Sequence, residues 1–201
     1  MNRRSRGHTT PAGAELTLGS IAHAALEAIA RAGVDALSRA EVADVLGVSV
    51  RSLYRLTPTV DHLIAAAAVE WQRRWMPPPD TGDWVNDLKR WCVASRAHVQ
   101  MYPGLSAALQ RLPPDLVGDA TDTVVHAVVA RLEDAGFDAS EARALFGVLS
   151  MYAVGWAVAA PVGAGSKVAV SVAGRHSSDE GFELGLDLLL EGIAARTRRW
   201  R

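Results

Sequence analysis

Residues 38–55 read SRAEVADVLGVSVRSLYR, and the spacing within this stretch decides the fold. Ser38 stands where a helix cap is needed, with Glu41 three residues on to complete a capping box. Val42, Val45 and Leu46 recur at helical spacing as the buried side of that helix, and Gly47 ends it. A sharp turn is expected at Gly47, because glycine adopts a positive φ at little cost. Ser49 then caps a second short helix running through Arg55. Two short helices crossing steeply about such a turn form a helix-turn-helix. Ala43 is small enough for the close crossing, while Val42, Leu46, Val48 and Leu53 make the little core between the helices. The second helix turns Val50, Arg51, Ser52, Tyr54 and Arg55 outward. Short hydroxyls, guanidinium groups and a phenol suit the base edges and phosphates of a major groove about 12 Å wide.

The elements around this stretch are given by the same signals. From Glu15 to Arg31 the apolar positions Leu18, Ile21, Ala22, Ala25, Leu26 and Ile29 mark an amphipathic helix, stopped by Gly33. Residues 1–14 are polar and carry Arg3, Arg4 and Arg6, which predicts a disordered basic arm. Thr59 caps a long helix from Val60 to Trp75, and Pro77-Pro78-Pro79 terminates it. Residues 15–76 are therefore expected to form a DNA-binding domain with a connecting helix, and residues 80–201 a second helical domain. Helices are predicted there from Asp83 to about Met101, over Leu105–Arg111, and at roughly 114–135, 139–160 and 179–197, with a Gly/Ser/Val-rich loop at 161–178. The run Arg196, Arg198, Arg199 and Arg201 reads as a solvated helix end that complements the helix dipole. Asn-Gly and Asp-Gly hairpin dipeptides are absent, and the expectation is an all-α protein of two parts.

Composition bounds the function. A chain of 201 residues, 49% hydrophobic and 21% charged, describes a soluble globular protein and excludes a disordered one. The formal net charge of -1 gives no global basic field. Residues 1–76 carry 9 Lys/Arg against 7 Asp/Glu, and residues 77–201 carry 12 against 15, a mild asymmetry toward the helix-turn-helix. The single cysteine, Cys92, rules out an internal disulfide and fits a reducing cytoplasm. Ala144 to Ser166 is an uncharged run of 23 residues, long enough to span a bilayer, but Pro161, Gly163 and Gly165 interrupt it and a buried helix is expected. Gly-x-Ser-x-Gly and phosphate-binding glycine loops are missing, and no His/Cys cluster has metal-ligand spacing. Neither an enzyme, a cofactor nor a metal site is expected.

The 38–55 block resembles the TetR family of one-component repressors. The matching residues are Ala24-Ala25-Leu26, Gly33, Leu37-Ser38, Val42-Ala43, Leu46-Gly47-Val48-Ser49, Leu53-Tyr54-Arg55 and Asp61-His62-Leu63, in register without gaps. In the second half, Trp84 with Leu88, Ala135-Gly136-Phe137, Tyr152 with Gly155, and residues 181–192 look like the C-terminal domain of tetracycline-repressor-like members. The resemblance implies a homodimer joined through the 139–160 and 179–197 helices, a roughly palindromic operator, and an effector cavity in the C-terminal domain. It further implies that effector binding moves the 60–75 helix as a lever and so changes the distance between recognition helices. On it, Ser38, Arg39, Ser49, Val50, Arg51, Ser52, Tyr54, Arg55 and Thr59 are the expected DNA contacts. The sequence departs from the family pattern at Leu56 and Thr57, where His or Tyr and then Phe or Val are usual, and at Val60, where a phosphate-contacting Lys is common.

For the effector, Trp91, Ser95, His98 and Tyr102 are read as one face of one helix, at spacings of 4, 3 and 4. Val125, Val129, Leu149, Tyr152 and Trp156 are expected to enclose the cavity from other helices. Such pockets are mainly apolar with few polar anchors, which points to an apolar or aromatic small molecule. The His and Glu with which tetracycline repressors read a magnesium–drug chelate correspond to Tyr102 and Ala159, so that specificity is not expected. Two other classes compete: a helical small-molecule-binding or enzymatic protein whose helix-turn-helix no longer binds DNA, and a membrane-associated helical protein.

Overall fold

The computed structural model describes residues 16–116, 122–159 and 178–198. The expected basic arm at 1–14 and the loop over 161–177 lie outside the described residues. Nine α-helices are present among them: α1 Leu18–Ala32, α2 Arg39–Leu46, α3 Val50–Leu53, α4 Val60–Arg73, α5 Trp84–Gln100, α6 Leu105–Leu109, α7 Asp122–Asp134, α8 Ala139–Ala159 and α9 Ser178–Arg198. Short 3-10 turns occupy Val34–Ala36 and Pro114–Leu116, and the described residues contain no strand. The all-α expectation is met.

Packing divides the chain into two units, residues 1–74 with 101–120, and residues 75–100 with 121–201. Unit 1 is built on α1 against α4, its most extensive helix pair. Ile21, Ala25, Leu26 and Ile29 of α1 are buried, as are Leu63, Ala67 and Trp71 of α4. The predicted apolar face of α1 is correct except at its first residue, since Leu18 is 52% exposed. The capping box belongs to this helix: Thr17 Oγ1 accepts from the backbone of Ser20, and Ser20 Oγ from that of Thr17. Residues 101–109 return to unit 1, where α6 packs on α4. At that return Gly104 holds φ +80 with Val34 Cγ1 only 2.6 Å from where a Cβ would stand. A glycine is required there twice over, by conformation and by space.

Unit 2 has one apolar core in which α5 packs chiefly on α8. Leu88, Trp91, Cys92, Val128, Leu132, Leu149, Phe182 and Leu186 form its centre. Its edges are tied by ion pairs: Arg131 with Asp80, Lys89 with Asp187, Arg96 with Asp179, and Arg196 with Glu141. The Arg196 pair gives that residue a partner, where the sequence suggests only a solvated helix end. Helix α8 corrects a second expectation. It is long and apolar enough to cross a membrane, with mean hydropathy 1.4 over its best window, yet only 22% of that window is buried. Val148, Met151 and Val158 stay open on one side, at 48%, 72% and 55% exposure.

Candidate functional site

The helix-turn-helix is built in unit 1 by local signals that each find their partner. Ser38 Oγ accepts from the backbone N–H of Glu41 at 3.2 Å and starts α2. The reciprocal half of the expected box does not form, because the Glu41 carboxylate takes Arg31 Nη2 at 3.2 Å instead. Gly47 closes α2 at φ 63, ψ 33, the left-handed conformation that makes the turn. Ser49 Oγ accepts from the backbone of Ser52 and starts α3. Val42, Ala43 and Leu53 are buried between the helices, but Val45 is 48% exposed and Leu46 only partly covered. The buried side of α2 is thus narrower than its apolar pattern.

Helix α3 ends at Leu53, two residues short of the expected Arg55, and the turn after it explains the unusual Leu56-Thr57 pair. Thr57 is fully buried, and both its backbone N–H and its Oγ1 donate to the Leu53 carbonyl, at 2.8 and 3.1 Å. With the Leu56 N–H, which donates to the same oxygen at 3.0 Å, it satisfies the Leu53 carbonyl at the helix end. Arg39 completes the closure. Its Nε donates to the Thr57 carbonyl at 3.3 Å, its Nη2 donates to the Pro58 carbonyl, and its guanidinium sits 4.4 Å over the Tyr54 ring. Arg39, expected only as a DNA contact, thus also holds the segment after α3. The outward set is Ser49, Arg51, Ser52 and Arg55, which line one open recess of about 210 Å³. Val50 and Tyr54 flank it at 37% and 51% exposure. Thr59 caps α4 through the His62 backbone, and its Oγ1 also lies 2.7 Å from His62 Nδ1. Val60, in the place of the usual Lys, is 38% exposed.

The expected effector residues do not stay together. Helix α5 ends at Gln100, and Tyr102 lies beyond it in unit 1, buried, with its hydroxyl accepting from Arg74 Nη1 at 3.2 Å. It does not share the face of Trp91 and Ser95. Arg74 also reaches Glu27, Glu70 and His23. Burial alone would lower its pKa, but the hydrogen bonds to Glu27, Tyr102 and Glu70 outweigh that and hold it above the ordinary value. In unit 2, Trp91, Val129 and Leu149 lie in the core, with Val125, Tyr152 and Trp156 packed at its margin. Ser95 is fully buried and accepts from Trp75 Nε1 at 2.9 Å, and the His98 ring stands 5.6 Å from Trp75. Tyr152 stacks on Phe182 and donates its hydroxyl to the Phe182 carbonyl at 2.7 Å. Residues that sequence reasoning misses are Phe146, 6.0 Å from Trp91, and Arg96, whose guanidinium lies 4.6 Å over Phe182. For Phe146 the only available signal is helical spacing, which sets it three residues before Leu149. Gly181 and Gly185 matter for what they lack, since a Cβ would strike Trp156 at the first and Tyr152 at the second. The described residues contain no cluster of three His, Cys, Asp or Glu fit to hold a metal.

No protein-family model matches the sequence, and no curated protein matches it. The structure is similar to solved ones. It superposes on apo ActR from Streptomyces coelicolor with a TM-score of 0.75 at 22% identity, over 94% of this chain and 99% of that one. It superposes on a variant of TetR from Acinetobacter baumannii, in complex with minocycline, with a TM-score of 0.70 at 22% identity, over 91% and 99%. The chain has the fold of the TetR-family proteins. BioQ from Mycobacterium smegmatis is a third likeness, at TM-score 0.65 and 20% identity over 90% and 99% of the two chains. BioQ is also solved with its natural double-stranded DNA operator, and that form too resembles this chain, at TM-score 0.64.

Proposed function

We propose that this chain is a cytoplasmic, ligand-responsive transcriptional repressor of the TetR family. The observation that carries the reading is the outward recess of Ser49, Arg51, Ser52 and Arg55 on a helix-turn-helix whose turn and caps are all formed. Two guanidinium groups and two hydroxyls on and beside one short helix suit guanine edges and phosphates. The fold shared with proteins solved on an operator or with a drug supports the same reading.

The protein works as a homodimer on a roughly palindromic operator. Support comes from the unpartnered sides of two helices of unit 2: Val148, Met151 and Val158 on α8, at spacings of three and seven residues, and Leu184 and Leu188 on α9, 65% and 62% exposed. Stripes of that kind on adjacent helices match a four-helix interface between two copies. Two heads then present α3 to half-sites roughly 34 Å apart. An apolar or aromatic effector entering unit 2 favours a conformation in which that spacing is lost, and DNA is released. A gel shift with the DNA flanking its own gene tests the reading. Retarded complex at low salt, competed by specific but not by unrelated DNA, is expected. Absence of any complex would favour a helical small-molecule-binding protein with a degenerate helix-turn-helix.

A further inference from the structure

Buried polar groups in unit 2 fall into two sets. Asp87 and Ser95 are fully buried and paired, Asp87 accepting from the Thr81 backbone and hydroxyl at 2.9 and 2.7 Å, Ser95 from Trp75. Trp91 Nε1 and Arg96 Nε on α5, Arg131 Nε on α7 and Ser150 Oγ on α8 are buried with no hydrogen-bond partner among the described residues, and of these only Trp91 and Ser150 belong to uncharged side chains. Trp91 is only 2% exposed, so its N–H has no route to solvent. Trp91 and Ser150 lie on the two helices of one packed pair. Helices α5 and α8 form the most extensive helix pair of unit 2, the Trp91 ring lies 6.0 Å from Phe146, and Ser150 stands one helical turn after Phe146. Leaving a buried donor unpaired costs the whole desolvation of that group, so native proteins keep such atoms for a reason.

We propose that Trp91 Nε1 and Ser150 Oγ are the polar anchors of the effector and select a neutral aromatic molecule bearing a carbonyl oxygen. This rests on the reading of unit 2 as effector-binding. An indole N–H only donates, and a serine hydroxyl donates or accepts, so the group that satisfies both is an acceptor with two lone pairs. A carbonyl oxygen has them. An anionic group is disfavoured, because the described residues of the seam offer no free countercharge. The nearby Cys92 is a thiol whose pKa burial pushes up to about 12. Arg96 keeps an unpartnered Nε, but its charge is matched by Asp179 at 2.7 Å and its guanidinium is stacked on Phe182. A charge placed there loses its hydration without compensation. The Trp91 and Phe146 rings, 6.0 Å apart and tilted by 36°, form one apolar aromatic surface on which an aromatic ring packs.

The test uses two matched probe pairs on the full chain: acetophenone with α-methylstyrene, and 2-acetonaphthone with 2-isopropenylnaphthalene. Within each pair the shape is kept and a carbonyl oxygen is exchanged for a methylene. Binding is followed by the indole N–H resonances of the six tryptophans, with Trp91 assigned from Trp91→Phe. The ketone of the pair that fits binds about tenfold tighter than its alkene, and its binding moves the Trp91 indole proton downfield. Ser150→Ala and Trp91→Phe each bring the ratio toward one while alkene binding persists. Equal affinity of ketone and alkene in the native chain, or a preference surviving both substitutions, overturns the proposal and leaves the effector reading intact. Failure of all four probes to perturb any indole of unit 2 overturns the effector reading and this inference with it.

Discussion

The two units use their polar and apolar residues in opposite ways. In unit 1 the contacts that cap the helix ends are short-range: Thr17 with Ser20, Ser38 with Glu41, Ser49 with Ser52, Thr59 with His62, and Thr57 with Leu53. Each satisfies a backbone group at a helix end within four residues, and the large apolar side chains left outside are scattered among charges. In unit 2 five of the exposed large apolar residues line up along α8 and α9, with Met76 and Val93 apart from them, while Trp91 Nε1, Arg96 Nε, Arg131 Nε and Ser150 Oγ are buried without partners. A unit complete in itself is suited to docking on a fixed rigid surface. A unit that leaves a surface and buried polar atoms unfinished is suited to finishing them with something else. This contrast underlies the proposal that the first unit docks on DNA and the second takes a second copy and a small molecule.

The strongest way to break this contrast is to spoil the surface that unit 2 leaves open. Met151→Glu with Leu188→Glu places charges on the α8 and α9 stripes, and sedimentation should show a monomer that has lost operator binding by at least about a hundredfold, since two heads no longer bind together. A monomeric wild type would remove the premise. Next come paired glycine substitutions. Gly185→Ala drives a methyl into Tyr152 and should cost about 2–3 kcal/mol in denaturant unfolding, with part regained in a Tyr152→Phe background. Gly47→Ala, at φ 63 in an open turn, should cost only about 1–2 kcal/mol, from backbone conformation alone. Equal effects with no rescue would erase the distinction between a packing-built body and a locally built head.

Arg39 and Arg51 give a finer comparison inside the head. Arg51→Gln removes a guanidinium that faces outward, so the slope of log affinity on log salt should shrink by about one. Arg39→Gln removes a clamp on the Thr57 and Pro58 carbonyls. Affinity should fall about three- to tenfold with the salt slope unchanged, and Arg39→Lys should restore little because the forked geometry is lost. A slope change of one for Arg39 would make it a phosphate contact after all. The smallest effect near neutral pH concerns Cys92. Its folded pKa of about 12 lies above the ordinary value of 9.0, so the stability it carries is full below pH 9 and declines as pH rises toward 12. At pH 8 the native thiol should resist a disulfide reagent that labels it promptly in urea. Prompt labelling of the native chain would show unit 2 opening far more readily than its packing implies.

The same contrast explains how much can be read from the sequence. Helices α1, α2 and α4 and the Gly47 turn are legible because caps, glycine and apolar spacing act within a few residues. Thr57 reads as a departure from the pattern, although its cap on Leu53 is also local; the signal is a threonine four residues after a helical position, and its size masks it. Arg39 reads only as a DNA contact because the carbonyls it holds lie 18 and 19 residues away, beyond any periodic signal. Tyr102 keeps the helical spacing of Trp91 and Ser95, but the helix stops at Gln100 and the chain turns back to Arg74. In unit 2 the burial of α8 depends on what covers it. Its apolar run reads as a core helix, and a single chain covers only one side. That Trp91 and Ser150 lie on one packed pair cannot be found without knowing which helices face each other.

The central claim is that the outward face of α3 binds DNA, and one titration tests it most directly. Fluorescence anisotropy on labelled DNA from beside the gene, from low to moderate salt, compares the native chain with Arg51→Ala/Arg55→Ala. The account predicts tight, salt-sensitive binding by the native chain and a loss of about a hundredfold or more in the double variant, whose circular dichroism is unchanged. Equal binding by the two proteins, or none by either at low salt, would contradict it.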